Sequence, residues 1–308
     1  MARSFLTEIE HQYGIRISKY YALRDVYRIE TTRKEDLCLK PYRIPAGEVR
    51  FITAVLNHLV QNGFLYSPRL FLTYRQSPYF QYGNNFYMLT NWVNGKSPIF
   101  QDMRQLRKSV RTLARFHRHA ESLNIIEVPD GRLRVWSLKK RFECAKQTIQ
   151  KDYGGDDSRK RIAVEMCERA LEMLTNESVT KALEREAEAK AFVHGDYNYP
   201  NLVVDQHNHH HLIDFDNTSY HARMEDLAHI IHRNYPWRND GAIRLIDIYN
   251  RVRIIEKNDI YLLVALLYEP YPLIRAIQQK KRHPHLNDIV MPSVSTFKQY
   301  SNFLTTLL

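Results

Sequence analysis

The hydrophobic rhythm of the chain changes near residue 95. Before that point, short apolar runs alternate with polar residues at the two-residue period of β-strands. IRISKYYAL, VYRIETT and DLCLKPY are three such runs with tight connections, and RLFLTYR and NFYMLTNWV are two more. Between the two groups, residues 46–62 (AGEVRFITAVLNHLVQN) carry apolar positions at helical spacing and stop at Gly63. A short helix is expected at 4–13 (SFLTEIEHQY), with Ser4 as its N-cap. The order β-β-β-α-β-β predicts an antiparallel five-stranded sheet with one helix packed on it.

The turn-rich NWVNGKSP (91–98) marks a boundary. Beyond it the three-to-four-residue period dominates, and helices are expected at 102–123, 136–151, 158–175 and 178–190. Short strands follow at 191–193, 202–205 and 210–213 around a polar loop. Helices are then expected at 223–234, 239–254 and 257–270. The pattern predicts an α+β fold of two lobes: a sheet-and-helix N-terminal lobe over 1–93 and a mainly helical lobe over 94–308.

Composition agrees with two packed cores: 308 residues, 44% hydrophobic and 26% charged. No uninterrupted apolar run reaches the ~18 residues that span a bilayer. IYLLVALLY (260–268) reads as a buried helix, so no membrane partner is expected. Glu8 and Glu10 break the N-terminal stretch, which therefore does not read as a signal peptide, and cytoplasmic synthesis is expected. Cys38, Cys144 and Cys167 are far apart and form no CxxC, which predicts reduced thiols rather than a disulfide framework or zinc ribbon.

The net charge of +11 favours anionic partners such as a nucleotide or a phosphorylated substrate. The basic residues concentrate at 104–119, 131–141 and 278–283. No nucleic-acid motif accompanies them, and Val110, Leu113 and Phe116 give the first run an apolar face. Solvated helix faces are the expectation, and nucleic acid is not an expected partner. QHNHHH (206–211) lies between two strand-like runs and reads as a hairpin tip. His117, His119, His229 and His232 lack the carboxylate-bearing context of a zinc motif and read as core or surface histidines.

The chemistry concentrates in HGDYNYPNLVVD (194–205) and HLIDFDNTSY (211–220). Phosphoryl transfer needs a held triphosphate, a cation to neutralise it and a carboxylate to orient the attacking hydroxyl. Mg²⁺ takes hard oxygen ligands, few of them from the protein. Asp196 and Asn201, spaced D-x-x-x-x-N, can direct a carboxylate at substrate and an amide oxygen at metal. Asp214 closes the apolar run HLI and is placed to be the second metal ligand.

HGDYNYPNLVVD, LIDFDN and MEDLAHI together resemble the aminoglycoside phosphotransferase and choline kinase-like family. LCLKPY resembles the strand bearing its ATP-binding lysine, here Lys40, and YMLTNWVNGK its strand and hinge. LARFHRHAES resembles the helix after that hinge. LCLKPYR, NWVNGK, LARFH and LIDFDN are similar to the CotS-type spore coat branch in particular.

The resemblance implies a bilobal protein-kinase-like fold using ATP and Mg²⁺. It implies that Asp196 is the catalytic base or the orienter of the acceptor hydroxyl, that Asn201 and Asp214 hold the metal, and that Lys40 contacts the nucleotide phosphates. Nucleotide is expected at the hinge, near Asn91 and Trp92, while Asp226 and His194 are expected to support the catalytic loop. Glu48, the only acid on the helix at 46–62, is either the partner of Lys40 or a favourable charge in the helix's first turn. Asp216 either assists the metal or starts a turn. YALRDVYRIE (21–30) stands where a kinase carries its glycine-rich phosphate loop and contains no glycine. The leading function is ATP- and Mg²⁺-dependent phosphorylation of a hydroxyl on a small molecule or glycan. The alternative is a kinase-fold scaffold with little catalysis, located in the spore coat with other coat proteins as partners.

Overall fold

The computed structural model describes residues 3–154, 157–282 and 292–308. In chain order it begins with α1 (Arg3–Tyr13), β1 (Ile17–Leu23), β2 (Val26–Thr31), β3 (Asp36–Tyr42), α2 (Ala46–Gln61), β4 (Phe80–Tyr82) and β5 (Asn85–Asn91). Then come α3 (Met103–His119), α4 (Leu138–Asp152), α5 (Asp157–Met173), α6 (Glu177–Glu188), β6 (Phe192–Val193), β7 (Leu202–Val204), β8 (His210–Leu212) and β9 (Ser219–Tyr220). The remainder is α7 (Met224–Asn234), α8 (Asn239–Asn250), α9 (Lys257–Tyr268), α10 (Tyr271–Arg282) and α11 (Val294–Thr306). These elements form two compact units, one of residues 1–98, 123–132 and 199–216, the other of 99–122, 133–198 and 217–308.

The first unit is built on an antiparallel sheet of strand order β1-β2-β3-β5-β4. The two-residue period places Leu37 and Leu39 of β3 on one face, where they join Ile29, Phe80, Tyr87 and Leu89. Phe5 and Ile9 of α1 complete this core, so α1 also covers the sheet, which the strand pattern did not foretell. Each such side chain contributes roughly 1.5–3 kcal/mol when fully buried. The same alternation turns Lys40 to the opposite face from Leu39.

The five strands are present, but one is not the strand expected. Within RLFLTYR only Leu70 bridges the sheet, at Thr90. The chain then reverses at Thr73–Ser77, where the Thr73 amide donates to the Ser77 carbonyl and the Gln76 amide to that of Thr73. Leu72 and Tyr74 have no sheet face to cover and stand 44% and 83% exposed. Phe80–Tyr82 supplies the fifth strand instead. Ser4 is also not an N-cap: α1 begins at Arg3, so Ser4 lies in its first turn.

The helical second unit packs around α9, whose Leu262–Tyr268 are 0–3% exposed and face α5, α6, α7 and α11. Among the described residues one span, Lys257–Lys281, is long and apolar enough by composition to cross a membrane, with mean hydropathy 1.4 and 61% of its window buried. The backbone leaves the helix at Glu269–Pro270, and the Glu269 carboxylate accepts from Arg141 at 2.7 Å. This is the buried helix anticipated at 260–268, followed by α10. On α3, Leu106, Val110, Leu113 and Phe116 are buried while Arg104, Arg107, Arg111, Arg115 and Arg118 are exposed, the solvated face the periodicity predicts. The last basic run ends at His283, outside the described residues.

Candidate functional site

The predicted residues fall into two clusters, one in each unit. In the first unit, β7 and β8 pair antiparallel with Leu202 opposite Leu212. That register sets Asn201 beside Ile213, and the Ile213 amide donates to the Asn201 carbonyl at 2.9 Å. The hairpin therefore delivers Asn201 and Asp214 to the same end. Asp214 has φ +64°, a left-handed conformation that aspartate tolerates better than most residues.

Lys40 reaches this end from β3. Its Nζ donates to Asp214 Oδ1 at 2.6 Å and to Asp216 Oδ1 at 2.7 Å. Burial by itself would lower the ammonium's pKa, but the carboxylates of Asp216 and Asp214 outweigh it and hold Lys40 above its ordinary value. Asp216 shows the converse balance: burial and the Asp214 charge raise its carboxyl more than Lys40 lowers it. Asp216 stands in the short 3-10 turn Phe215–Asn217, so it both starts a turn and faces the lysine.

Glu48 is not the partner of Lys40. Its carboxylate accepts from Arg132 Nε. Arg132 also donates through Nη1 to the Asp216 carbonyl at 2.7 Å, which ties α2 to the turn after β8. Asn91 and Trp92 hold the end of the sheet. Asn91 Oδ1 accepts the Arg69 amide at 2.6 Å, the Trp92 amide donates to the Asp36 carbonyl, and Arg28 lies 5.5 Å over the Trp92 ring. At Gly95 a Cβ would collide with the Val204 carbonyl oxygen, so only glycine lets the chain pass there.

Asn201, Asp214 and Asp216 supply oxygen donors at one end of the hairpin. That donor set, two carboxylates and an amide, fits a hard divalent cation. Among the described residues no group of three or more His, Cys, Asp or Glu gathers in metal-binding fashion, here or elsewhere, so this end of the hairpin offers two carboxylates and an amide only. The histidine run lies at the β7–β8 tip, as expected. There Asp205 accepts the amides of His207 (2.8 Å) and His209 (2.9 Å) and faces His211 Nε2 at 2.9 Å. Only His210 turns inward, to 3% exposure.

The second cluster surrounds Asp196. Gly195 has φ +79°, and a Cβ there would strike the Asn217 carbonyl oxygen, so the loop's glycine is required twice over. The fully buried Asp226 of α7 accepts the amides of His194 (2.8 Å) and Gly195 (3.0 Å). Its Oδ2 also faces His117 Nε2 at 3.2 Å, and His117 Nδ1 lies 2.7 Å from the Tyr249 hydroxyl. Burial would raise the Asp226 carboxyl, yet the bonds from His117 and His194 pull it below the ordinary carboxylate value. Asp226 thus fixes the backbone on which Asp196 sits. Asp196 itself is 37% exposed at its side chain and accepts from Arg233 Nη2 at 2.8 Å.

Sequence reasoning misses two residues, Arg132 and Arg233, and leaves Asp216 between assisting the metal and starting a turn. Arg132 lies in a run that registered only as basic, and Arg233 follows the EDLA helix with no motif to single it out.

The model of the phosphotransferase enzyme family (APH) matches residues 21–259. No curated protein matches the sequence. Among solved structures, the chain is similar to an aminoglycoside phosphotransferase from Alicyclobacillus acidocaldarius, with TM-score 0.75, 21% identity, and coverage of 100% of this chain and 95% of that one. It is also similar to the amicoumacin kinase hAmiN in complex with AMP-PNP, Ca²⁺ and Ami, with TM-score 0.64, 12% identity, and coverage of 99% and 92%. A microcompartment-associated aminopropanol kinase gives TM-score 0.61, 12% identity, and coverage of 99% and 94%. At these identities the likeness establishes a kinase-like fold.

Proposed function

We propose that this chain, which belongs to the phosphotransferase enzyme family, transfers the γ-phosphoryl group of ATP to a hydroxyl of a small molecule or glycan. The observation that supports this most is the meeting of Lys40, Asp214 and Asp216 at the hairpin end that also carries Asn201. One cation and an oxygen donor set in the same place suit a magnesium triphosphate.

In this reading Asp196 accepts the proton of the acceptor hydroxyl as its oxygen bonds to the γ-phosphorus. The bond from that phosphorus to the β-γ bridging oxygen breaks, and ADP leaves. Lys40, kept charged by its carboxylate neighbours, moves its donors to the nucleotide phosphates. Asn201 and Asp214, with Asp216 beside them, would hold Mg²⁺, which neutralises phosphate charge when bound. Arg132 and Glu48 keep the turn carrying Asp216 in place, and Asp226 keeps the amides of the Asp196 loop in place.

A thermal melt with and without ATP and Mg²⁺ tests the nucleotide site. Ligand at 100 times its dissociation constant should stabilise the fold by about 2.7 kcal/mol. Asp214→Asn should abolish the metal-dependent part, and equal shifts in mutant and wild type would reject the metal assignment. Asp196→Asn should keep the shift and lower turnover by roughly 10²–10⁴-fold. Unchanged turnover would remove Asp196 from the chemistry.

One feature favours the second reading, a CotS-type coat scaffold with weak or no catalysis, made in the cytoplasm and held in the spore coat by other coat proteins. β1 and β2 join through only Arg24 and Asp25, and Arg24 has φ +52°, where glycine is ordinarily favoured. This turn offers phosphates no glycine backbone to approach. The absence of any nucleotide-dependent shift at millimolar ATP would make the scaffold the better reading.

A further inference from the structure

We infer that Arg233 and Arg275 bind an oxyanion on the acceptor, a carboxylate or a phosphate, so that the substrate is an acidic hydroxyl compound rather than a polycation. The inference rests on the assignment of Asp196 to the acceptor hydroxyl.

Arg233 projects from α7 with its side chain 12% exposed. Its Nη2 donates to Asp196 Oδ1 at 2.8 Å and to the Tyr271 hydroxyl at 3.0 Å. Its Nε and Nη1 are buried without a hydrogen-bond partner. Buried guanidinium donors are seldom left unpaired in folded proteins. Arg275, one turn along α10, donates through Nη1 to the same Tyr271 hydroxyl at 3.1 Å. Tyr271 is wedged in place by the rings of His229, at 4.6 Å between centroids, and His232, at 5.7 Å.

Arg233 and Arg275 have little negative charge directly beside them. Arg233 has a single carboxylate within ion-pair distance, that of Asp196, and Arg275 has none among the described residues. Glu225, the nearby acid on α7, gives its Oε1 to Arg141 and to His229 at 3.0 Å, while its Oε2 is buried without a hydrogen-bond partner. Two guanidiniums therefore share one carboxylate oxygen and one hydroxyl. A cationic acceptor brought to Asp196 would meet like charge. An oxyanion would supply the missing acceptors, and the planar guanidinium fork matches its two oxygens.

The arrangement also couples binding to chemistry. While Arg233 donates to Asp196, it occupies one oxygen of that carboxylate. An acceptor oxyanion that draws Arg233 away releases Asp196 for the hydroxyl proton.

The test uses the full chain with ATP and Mg²⁺ and follows ADP release. Glycerol 3-phosphate and glycerate serve as phosphate and carboxylate probes, kanamycin, choline and ethanolamine as cationic ones, and glycerol as the neutral one. We expect ADP release to be stimulated by an acidic probe and by no cationic one, with the two acidic arms distinguishing phosphate from carboxylate. Arg233→Gln should raise the half-saturating concentration about 10- to 100-fold, and Arg233→Lys should restore part of it. Preferential turnover of a cationic probe, or half-saturation within about twofold in Arg233→Gln, would overturn the inference. If no probe is turned over, the melt of the ATP-loaded protein decides. A further rise with 10 mM acidic probe, seen in wild type and lost in Arg233→Gln, supports the inference, and no rise with either acidic probe overturns it. Loss of the ATP-dependent shift itself would strike the phosphotransferase reading instead.

Discussion

Lowering the pH from about 7.5 to about 5.5 should destabilise the helical unit by about 4 kcal/mol, through three buried histidines. Burial pushes His117, His221 and His232 down from 6.5 to about 4. Each ring spends a nitrogen on a bond inside the unit. His117 Nε2 faces Asp226, His232 Nε2 lies 3.1 Å from the Leu266 carbonyl, and His221 Nδ1 accepts the Ala222 amide at 2.8 Å. Because the folded value lies below the unfolded one, the unfolded chain binds more protons between these values. The stabilisation is complete above about 6.5 and is lost as the pH falls toward 4. With a folded value of about 4, each ring loses somewhat more than about 1 kcal/mol over the stated interval. Three rings together give the stated total.

Two buried carboxyls act in the other direction. Burial raises Glu269 and Asp259 despite their Arg141 and Arg185 partners, so acidification through their range favours the fold. The diagnostic is therefore the difference between wild type and a variant that cannot titrate. His232→Gln keeps an amide donor for the Leu266 carbonyl and removes one titration. Urea unfolding at each pH, followed by tryptophan emission from Trp237, which is 8% exposed, measures the stability. The variant should lose about 1 kcal/mol less than wild type over the interval. An identical loss in both would refute the assignment of acid sensitivity to this ring.

Two other substitutions probe the scaffolding of the site. Asp226→Asn removes the charge that accepts the His194 and Gly195 amides and should cost about 3–5 kcal/mol, seen in calorimetry as a fall of about 10 °C; a fall below about 2 °C would mean the loop is held by other contacts. Arg132→Gln leaves Glu48 without its cation and frees the Asp216 carbonyl. It should cost about 2 kcal/mol and weaken the ATP-dependent melt shift, and a full shift in that variant would show that the turn holds without Arg132.

What could be read from the sequence, and what could not, follows the range of the interactions. Helices at 136–151 and 257–270 were legible because their apolar positions repeat every three to four residues, and the structure puts α4 and α9 there. RLFLTYR misled because strand-like alternation is equally compatible with an exposed extended segment, and only the reversal at Thr73–Ser77 decides between them. Asn201 and Asp214 could be paired because a short hairpin joins them, and hairpin register is local information.

Lys40 could not be paired in that way. Its carboxylates lie 174 and 176 residues along the chain, and no period or spacing connects such positions. The sequence leaves Glu48 on the next helix between pairing with the lysine and a first-turn charge, and the fold brings Arg132 to Glu48 and leaves the lysine to the acids of the β8 turn. The same reason hid Arg233, which lies 37 residues from Asp196 on a helix whose motif, EDLA, points to the other role of α7. One helix thus carries two acids and an arginine with separate duties. Asp226 fixes the loop backbone, Glu225 balances Arg141, and Arg233 governs the charge that an acceptor meets. Only the first has a signature short enough to be written in the sequence, so the specificity of this chain has to be sought in the long-range pairs rather than in the motif that identifies its family.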